Sequence, residues 1–217
     1  MCYRYALSVR PEIKERFNIN DLPLGLETQY NIALWKEIPV VVKWENKNEM
    51  MLMKWWLIPH WAKESKIWYN LWNAKAETID QKPSFKQSFE SKRCIIPASW
   101  FFEWEHIGND KIPYYISPKD DEYFWFAWIY DIRKDEDGKD IYSVSIITTT
   151  PNDEISRIHD RMPSILGKGH ENDRLYINDK ESLLKLLKPS SDTQMYRVSS
   201  GVNGVKSQWE QLIQKIS

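Results

Sequence analysis

The sequence predicts an α+β fold whose core is mostly antiparallel β-sheet, closing into a barrel-like structure with helices at the periphery. Runs of β-branched and aromatic residues, too short for long helices, recur along the chain. Turn residues separate these runs, and helical periodicity is confined to a few short segments. Strands therefore dominate. Because the 217 residues contain no linker-like stretch, we expect a single domain that spans 1–217.

The first half of the chain contains two predicted helices and two predicted strands. A short helix is expected to begin near Pro11, after Ser8. The β-branched run Ile38–Trp44 and the apolar run Met50–Ile58 predict strands. The pattern of Ser84–Ser91 predicts a second helix.

The middle of the chain predicts a strand and a hairpin. Cys94 begins a strand that we expect Pro97 to interrupt, because proline has no N–H to donate. Trp100–Glu105 alternates at period two, which places Glu103 on one face and the tryptophans on the other. Gly108–Asp110 then predicts a hairpin turn.

The remaining predicted elements are two long strands and a final helix. The strands are Tyr123–Ile132 and Ile141–Thr150, joined through a turn that contains Gly138. Lys180–Lys188 has leucines at helical spacing, and Pro189 ends the helix.

Composition limits the classes of function. The chain has twelve tryptophans and a net charge of −1, with a pI near 6.5. Most of the aromatic rings are expected in the core, and a few could stack on bases or sugars. A neutral protein does not bind polyanions generally, so any binding of nucleic acid requires a local basic groove.

Cysteine and histidine usage excludes several kinds of site. The two cysteines, Cys2 and Cys94, form neither a disulfide framework nor a CxxC pair. The four histidines have no metal-ligand spacing, so we assign no metal and no cofactor. No signal-like segment and no apolar run of membrane-spanning length is present, so a reducing cytoplasm is the expected location.

Cys2 directly follows the initiator methionine. Methionine is removed readily before a small residue, so we expect the mature chain to begin with Cys2. An N-terminal cysteine carries a thiol and an α-amine on neighbouring carbons, and the pair condenses with an aldehyde into a thiazolidine. Their reference pKa values of about 8.5 and 8 predict that modest tuning activates both near neutral pH.

Three further segments place polar residues where a plain core would not have them. A carboxylate between Phe102 and Trp104 loses solvation, so Glu103 is a candidate general acid or base, although pairing with an arginine is the simpler interpretation. His159 is a second candidate proton carrier. Asn73 would ordinarily be a turn residue, and Lys75 a solvated charge.

Taken together, these segments resemble one family. The matching segments, in chain order, are Cys2 at the amino terminus, Asn73–Glu77 (Asn-Ala-Lys-Ala-Glu), Pro97-Ala98 with Phe101–Trp104, and Ile158–Pro163 (Ile-His-Asp-Arg-Met-Pro). Tyr30–Ala33, Trp55 with Leu57–Trp61, and Val198-Ser199 with Val202-Asn203 match as well. The chain resembles the SOS-response-associated peptidase (SRAP) family over nearly its whole length. Members of that family crosslink covalently to abasic sites in single-stranded DNA.

The resemblance implies a set of site residues. The catalytic positions of the family fall on Cys2, Asn73, Glu103 and His159. The expected phosphate contacts are Arg4, Lys75 and Arg161, and the expected stacking residues are Trp55 and Trp104. The implied partner is single-stranded DNA with abasic sites, met at the nucleoid after damage.

Four positions depart from the family pattern. Tyr3 and Trp56 stand where the family usually has glycine, Lys75 where it has arginine, and Leu34 where it has proline. Tyr3 and Trp56 could narrow the entrance or add a stacking surface. Lys75 keeps the charge but loses the bidentate fork for a phosphate.

Two other functions stay open. The chain could be a cysteine peptidase with Cys2 as nucleophile, His159 as base and Asn73 as orienting group. It could also be a non-catalytic single-strand-binding module that uses its tryptophans. A monomer is the default expectation for its oligomeric state.

Overall fold

The computed structural model describes residues 2–45, 47–62, 71–167 and 169–216, together with the backbone but not the side chains of 44, 171 and 172. The expected removal of Met1 concerns a residue outside these ranges. The strands are β1 Arg4–Leu7, β2 Gln29–Ala33, β3 Glu37–Trp44, β4 Lys47–Lys54, β5 Asn73–Lys75, β6 Arg93–Ala98, β7 Trp100–Ile107, β8 Asp110–Ser117, β9 Phe124–Lys134, β10 Asp140–Thr149, β11 Met162–Pro163 and β12 Gln194–Arg197. The α-helices are α1 Ile13–Arg16, α2 Lys86–Ser91, α3 Glu171–Tyr176 and α4 Lys180–Lys185.

Five strands form a closed barrel. Their order is β10-β4-β3-β6-β9, and the hairpin pairing of β9 with β10 closes the ring. All of these pairings are antiparallel except the contact between β4 and β10, where Lys54 lies opposite Ser143 in a parallel arrangement. The expected α+β class with a barrel-like antiparallel sheet is confirmed.

A second, antiparallel sheet has the order β12-β8-β7-β1-β2. Tyr5 and Phe101 on one face belong to the main hydrophobic core, with Phe126 of the barrel in contact with both rings. The other face carries a smaller apolar cluster, formed by Ala6, Trp100, Phe102, Val198, Val202 and Leu212. The alternation predicted for Trp100–Glu105 therefore separates two different cores.

The expected break at Pro97 does not occur. β6 continues through Pro97 to Ala98, and Pro97 lies opposite Trp125 of β9. On its other side, β6 pairs with β3 only at Cys94 and Ile95. Pro97 lies past the end of that pairing, so the sheet loses no hydrogen bond through its missing N–H.

The strand predicted for Met50–Ile58 ends earlier than expected. β4 stops at Lys54, and the chain bends because the Trp55 N–H donates to Lys36 O at 2.9 Å and the Trp56 N–H to Lys54 O at 3.0 Å. The three predicted helices are present in shorter form as α1, α2 and α4. Asp179 caps α4 by accepting a hydrogen bond from the Ser182 N–H at 2.8 Å. No helix in the described ranges is long and apolar enough to cross a bilayer.

Candidate active site

The pairing of β1 with β7 brings the amino terminus to Glu103. Tyr5 lies opposite Phe101, and Ala6 opposite Trp100. Because the strands run antiparallel, the residues before Arg4 lie beside the part of β7 that follows Phe101. Cys2 is fully buried there, and its thiol donates to Arg4 O at 3.6 Å.

Burial shifts the pKa of both Cys2 and Glu103. Glu103 is 2% exposed, and its loss of solvation raises the pKa of the carboxyl to about 7. Burial also raises the pKa of the Cys2 thiol, and the negative charge of Glu103 adds to that effect. The expectation that modest tuning activates the thiol near neutrality is therefore wrong for this buried state. The thiol stays protonated, whereas Glu103 exchanges a proton near neutral pH.

His159 is the second titratable residue close to Glu103. A short 3-10 helix, Ile155–Arg157, ends just before it, and the His159 N–H donates to Ile155 O at 2.9 Å. The imidazole Nε2 lies 3.9 Å from Glu103 Oε2. Burial lowers the pKa of His159, which favours the neutral ring at pH 7.

The other ring nitrogen of His159, Nδ1, lies near both a hydrogen-bond donor and hydrogen-bond acceptors. Nδ1 lies 3.0 Å from the Arg161 N–H, 3.2 Å from Arg161 O and 3.1 Å from Asp160 Oδ1. Either neutral tautomer therefore finds a partner at Nδ1. As a result, Nε2 can both give up and take back a proton without a change in ring orientation.

Asn73 is the first residue of β5, which runs parallel to β10 with Asn73 opposite Ile146. The residue is 9% exposed, and neither its amide oxygen nor its amide nitrogen has a hydrogen-bond partner among the described residues. The neighbouring Trp72 ring contacts Tyr3 edge-on, with 6.3 Å between centroids. A buried amide without a partner among the described residues, adjacent in sequence to a ring that contacts Tyr3, is a polar group that a ligand could satisfy.

A cleft of about 470 Å³ opens over Glu103 and His159, whereas Cys2 and Asn73 do not line it. Its lining consists of Tyr3, Arg4, Glu103, Trp104, His106, Lys111, His159 and Asn203. Both candidate proton carriers therefore face the cleft, with cationic and aromatic side chains around them. His106, Lys111 and Asn203 had no predicted role, although Asn203 lies in one of the segments that resemble the family.

Arg4 is fixed at the edge of the cleft by neutral groups. Its guanidinium donates to Asn31 Oδ1 at 3.0 Å, to Val202 O at 3.2 Å and to Asn203 O at 3.3 Å. Asn31 is itself fully buried and donates to Val202 O and Gly204 O. None of these partners carries a charge, so the positive charge of Arg4 is available to an anion in the cleft.

The structure does not favour the expected phosphate contact by Arg161. Arg161 is 9% exposed, and its guanidinium makes a bidentate pair with Glu77, at 2.7 and 3.0 Å. The guanidinium also donates to Thr148 O at 2.6 Å. Glu77 thus offsets the charge that a phosphate would need. Lys75, by contrast, is exposed at the end of β5.

The two predicted stacking residues differ completely. Trp104 lines the cleft, and its indole Nε1 donates to Asn203 Oδ1 at 2.7 Å. Trp55 has no exposed surface, and its ring packs against Tyr5 and Trp128. The expectation that Trp55 stacks on DNA does not hold, because neither face of the buried ring can reach a base.

The described part of the chain contains no group of three or more histidine, cysteine or acidic residues placed to hold a metal ion. The arrangement instead combines the buried thiol of Cys2, a carboxyl whose pKa burial raises to about 7 and an imidazole whose pKa burial lowers. Such a set can move protons between a nucleophile and a carbonyl carbon in the cleft.

Comparisons with known proteins identify the family of the chain. The model of the family described as SOS response associated peptidase (SRAP) matches residues 1–205. The abasic site processing protein YoqW of Bacillus subtilis is 41% identical and covers 99% of both chains. The abasic site processing protein HMCES of Gallus gallus is 30% identical, over 73% of this chain and 55% of its own.

Solved structures show the same fold. A crystal structure of a protein from Bacteroides thetaiotaomicron superimposes with a TM-score of 0.90 at 30% identity, over the whole of both chains. A second, from Bordetella bronchiseptica, shares the fold with a TM-score of 0.77 at 20% identity and covers 92% of this chain. With a family model that matches almost its full length, the chain belongs to the SOS response associated peptidase (SRAP) family.

Proposed function

We propose that the protein captures abasic sites in single-stranded DNA as a covalent thiazolidine, through the thiol and α-amine of Cys2 after removal of Met1. The observation that carries this proposal is the burial of Cys2 beside Glu103, with His159 Nε2 3.9 Å from the carboxylate. The names of the relatives YoqW and HMCES, both abasic site processing proteins, support an abasic site as substrate.

The first step opens the deoxyribose ring of the abasic site. The protonated form of His159 donates its Nε2 proton to the ring oxygen as the bond from that oxygen to the anomeric carbon breaks, and the imidazole returns to the neutral state that burial favours. The anomeric hydroxyl loses its proton to water and becomes the aldehyde. Because Nδ1 of His159 has a hydrogen-bond partner whether or not it carries a proton, Nε2 can recover its proton from solvent afterwards.

The second step joins the amine to the aldehyde carbon. The α-amine of Cys2 attacks the carbonyl, and the Glu103 carboxylate takes a proton from the nitrogen while water protonates the oxygen. Glu103 then returns its proton to the hydroxyl of this carbinolamine, which leaves as water and gives a protonated imine. A pKa of about 7 suits a carboxyl that must accept and donate in turn.

The third step closes the ring. The Cys2 sulfur adds to the imine carbon, the electron pair of the C=N bond moves to nitrogen, and the thiol proton passes to Glu103. Because burial keeps the thiol protonated beforehand, the amine acts first and the sulfur second. The amide of Asn73, which lacks protein partners among the described residues, would hold the sugar hydroxyl during these steps.

DNA would enter over the cleft. Arg4 has no charged partner among the residues that the structure describes, so it is the strongest candidate for a phosphate contact. The exposed Lys75 is the second candidate. Trp104 lines the cleft, and its ring is the candidate for stacking on a base. Arg161 is better suited to position His159, because its backbone contacts the imidazole and its side chain is paired with Glu77.

Two side activities follow from the same groups. If the imine persists, loss of a proton from the neighbouring sugar carbon leads to β-elimination, so a weak lyase activity is expected. If the Cys2 thiol attacks the Met1 carbonyl, the peptide bond breaks, the Cys2 amine is freed and a thioester forms. Water then hydrolyses the thioester and releases Met1, so the protein would be its own processing peptidase.

A peptidase that acts on other proteins is disfavoured by the two pKa shifts. Such an enzyme needs a thiolate and an imidazolium side by side. Here burial raises the pKa of the Cys2 thiol and lowers the pKa of His159, and both shifts oppose that ion pair.

Intact-protein mass spectrometry tests the proposal. The purified chain is weighed before and after incubation with a single-stranded oligonucleotide that carries one abasic site. We expect loss of the Met1 mass and then a heat-stable adduct equal to protein plus oligonucleotide minus one water. A processed chain that forms no adduct would refute the proposal.

Two variants separate the roles of thiol and amine. Cys2→Ser keeps the amine, so it should form an imine that borohydride traps but no heat-stable adduct. Cys94→Ala is the matched control, because Cys94 is equally buried but lies on β6 in the barrel core, and it should behave as wild type. A single-strand-binding module without chemistry would instead bind undamaged and abasic DNA equally, with or without Cys2.

A further inference from the structure

An aromatic cluster extends from the mouth of the cleft across the surface of the protein. Tyr3, which lines the cleft, contacts Trp72 with 6.3 Å between ring centroids. Trp72 contacts Trp35 at 6.1 Å, and Trp35 contacts Trp56 at 5.1 Å. We refer to Tyr3, Trp72, Trp35 and Trp56 as the aromatic ramp.

The rings of the ramp are at least partly exposed to solvent, whereas the rings of an aromatic cluster in the core would be buried. Trp35 is 51% exposed, and the rings of Tyr3, Trp56 and Trp72 are each partly exposed. Trp55, the residue before Trp56 in the sequence, is by contrast fully buried. The rings on the ramp therefore combine mutual packing with surface that remains open to a ligand.

The backbone holds Trp35 in a conformation that bulky residues rarely adopt. Its φ is +72°, in the left-handed region, at the turn between β2 and β3. Glycine would take this position without steric conflict, so the tryptophan is present at a conformational cost. Strain of this kind is concentrated at functional positions, where the side chain supplies the compensation.

The charges around the ramp suit a polyanion. The Lys54 ammonium lies 5.8 Å from the centroid of the Trp56 ring, and Lys36 is an exposed neighbour of Trp35. Glu37, which lies opposite Lys54 in the β3–β4 pairing, offsets one of these charges. A surface with exposed rings and a small positive excess matches the recognition of single strands, in which bases stack and phosphates meet lysines.

We propose that the aromatic ramp stacks the unpaired bases on one side of the abasic nucleotide, so that the protein reads the single strand beyond the lesion itself. The inference rests on the proposed crosslinking function, because the cleft at Tyr3 sets where the lesion lies. Continuity from Tyr3 to Trp56 defines a path for two or three nucleotides. Purines, with their larger rings, should gain more than pyrimidines.

Crosslinking rates on a set of oligonucleotides test this proposal. Each oligonucleotide carries one abasic site, and the three nucleotides on either its 5′ or its 3′ side are replaced by reduced abasic spacers. These spacers keep the phosphates but have neither a base nor an aldehyde. At subsaturating protein, spacers on one side should lower the rate at least about 5-fold for each stacked base lost, since stacking depends on the base alone. Equal rates on all oligonucleotides would overturn the proposal.

The key variant is Trp35→Gly, which removes the ring and relieves the positive φ, so it should not unfold the protein. The ratio of the rate with bases to the rate with spacers should fall toward one in this variant and in Trp56→Ala. Trp209→Ala is the matched control, because Trp209 is similarly exposed at 54% but lies outside the ramp, and it should keep the wild-type ratio. A wild-type ratio in Trp35→Gly, with folding verified by thermal melting, would overturn the proposal.

Failure of the crosslinking function gives a different result. In that case the oligonucleotide with all its bases forms no adduct with the wild-type protein. The ramp is then tested by tryptophan fluorescence quenching with undamaged single-stranded DNA, which needs no chemistry. If the affinity measured by quenching falls at least about 5-fold in Trp35→Gly, base stacking on the ramp is supported. If the wild-type protein does not bind undamaged single-stranded DNA, the proposal is refuted.

Discussion

The imidazole Nε2 of His159 lies 3.9 Å from Oε2 of Glu103, and both residues line a cleft together with Tyr3 and Arg4 of the amino-terminal segment. The gap is longer than a direct hydrogen bond. A sugar oxygen or a water molecule between the two groups could contact both. The pair is thus arranged to act on one atom from two sides, with a carboxyl that titrates near neutrality and a neutral ring.

Glu103→Gln should slow adduct formation about 100-fold, because an amide takes no proton from the amine. The wild-type rate should rise with pH through about 7 as the carboxyl ionises, and rise further near 8 as the α-amine loses its proton. The variant should lack the first rise and keep the second. Initial rates between pH 5.5 and 9 measure this difference.

Glu105→Gln is the matched control for that profile, since Glu105 lies two residues further along the same strand and accepts a hydrogen bond from Tyr114. Its profile should follow that of the wild type. If Glu103→Gln kept the rise near pH 7, the proton acceptor would have to be another group.

Glu103 should also make stability depend on pH. Burial raises its pKa from 4.5 to about 7, so the folded state holds this proton more tightly than the unfolded state. The resulting stabilisation is complete below pH 4.5 and is lost as pH rises through 7. At pH 8, Glu103→Gln should therefore be more stable than wild type, by roughly 1–3 kcal/mol.

Thermal melting at two pH values measures this effect. The variant should melt several degrees above wild type at pH 8, at about 2–4 °C for each kcal/mol, and the difference should shrink at pH 5. A variant that is less stable than wild type at pH 8 would show that the ionised carboxyl is well compensated in the folded protein.

His159→Gln should reduce capture of the closed sugar far more than capture of a free aldehyde. The imidazole is proposed to protonate the ring oxygen, a step that an open-chain aldehyde does not need. We expect about a 100-fold loss with an abasic oligonucleotide and little loss with glyoxylate. Mass spectrometry of the N-terminal thiazolidine follows both reactions.

His106→Gln serves as the control for this pair of substrates. His106 lines the same cleft but lies on the hairpin opposite Lys111. It should affect both substrates similarly. Equal losses with both aldehydes in His159→Gln would assign His159 to the condensation rather than to ring opening.

Runs of β-branched and aromatic residues were sufficient to predict the barrel-like class. Period-two alternation predicted the two faces of β7, because a strand buries alternate side chains. It also marked Glu103 as a carboxyl among aromatic rings, and burial does raise its pKa. The resemblance to the family, rather than spacing, brought Cys2, Asn73 and His159 together as candidates. Nothing local in sequence predicts that β1 lies beside β7.

Exposure was the quantity that sequence could not supply. Trp55 and Trp56 are neighbours, yet one is in the core and the other on the surface, since the chain bends after Lys54. Similarly, the charge of Arg161 suggested a phosphate contact, but Glu77 reaches it across 84 positions of the chain. Both outcomes depend on tertiary packing.

The pair of Glu77 and Arg161 should support the site indirectly. Glu77→Gln removes the charged partner of a guanidinium that is 9% exposed, so the folded state should lose about 1–3 kcal/mol. Hydrogen bonds from Arg161 lower the pKa of Glu77, so its contribution is present above pH 4.5 and is lost as the pH falls below that value. The melting temperature of the variant should lie below that of wild type at pH 7, and the difference should shrink as the pH falls below 4.5.

Crosslinking kinetics distinguish a positioning role from a purely structural one. The Arg161 backbone contacts His159 Nδ1, so loss of the ion pair in Glu77→Gln should also disturb His159. The variant should therefore slow capture of abasic DNA more than capture of glyoxylate. The effect should resemble that of His159→Gln but be smaller. Glu49→Gln, at an exposed position of β4, is the control and should change neither melting nor rate. A Glu77→Gln protein that melts lower but captures both aldehydes at the wild-type rate would limit this ion pair to stability.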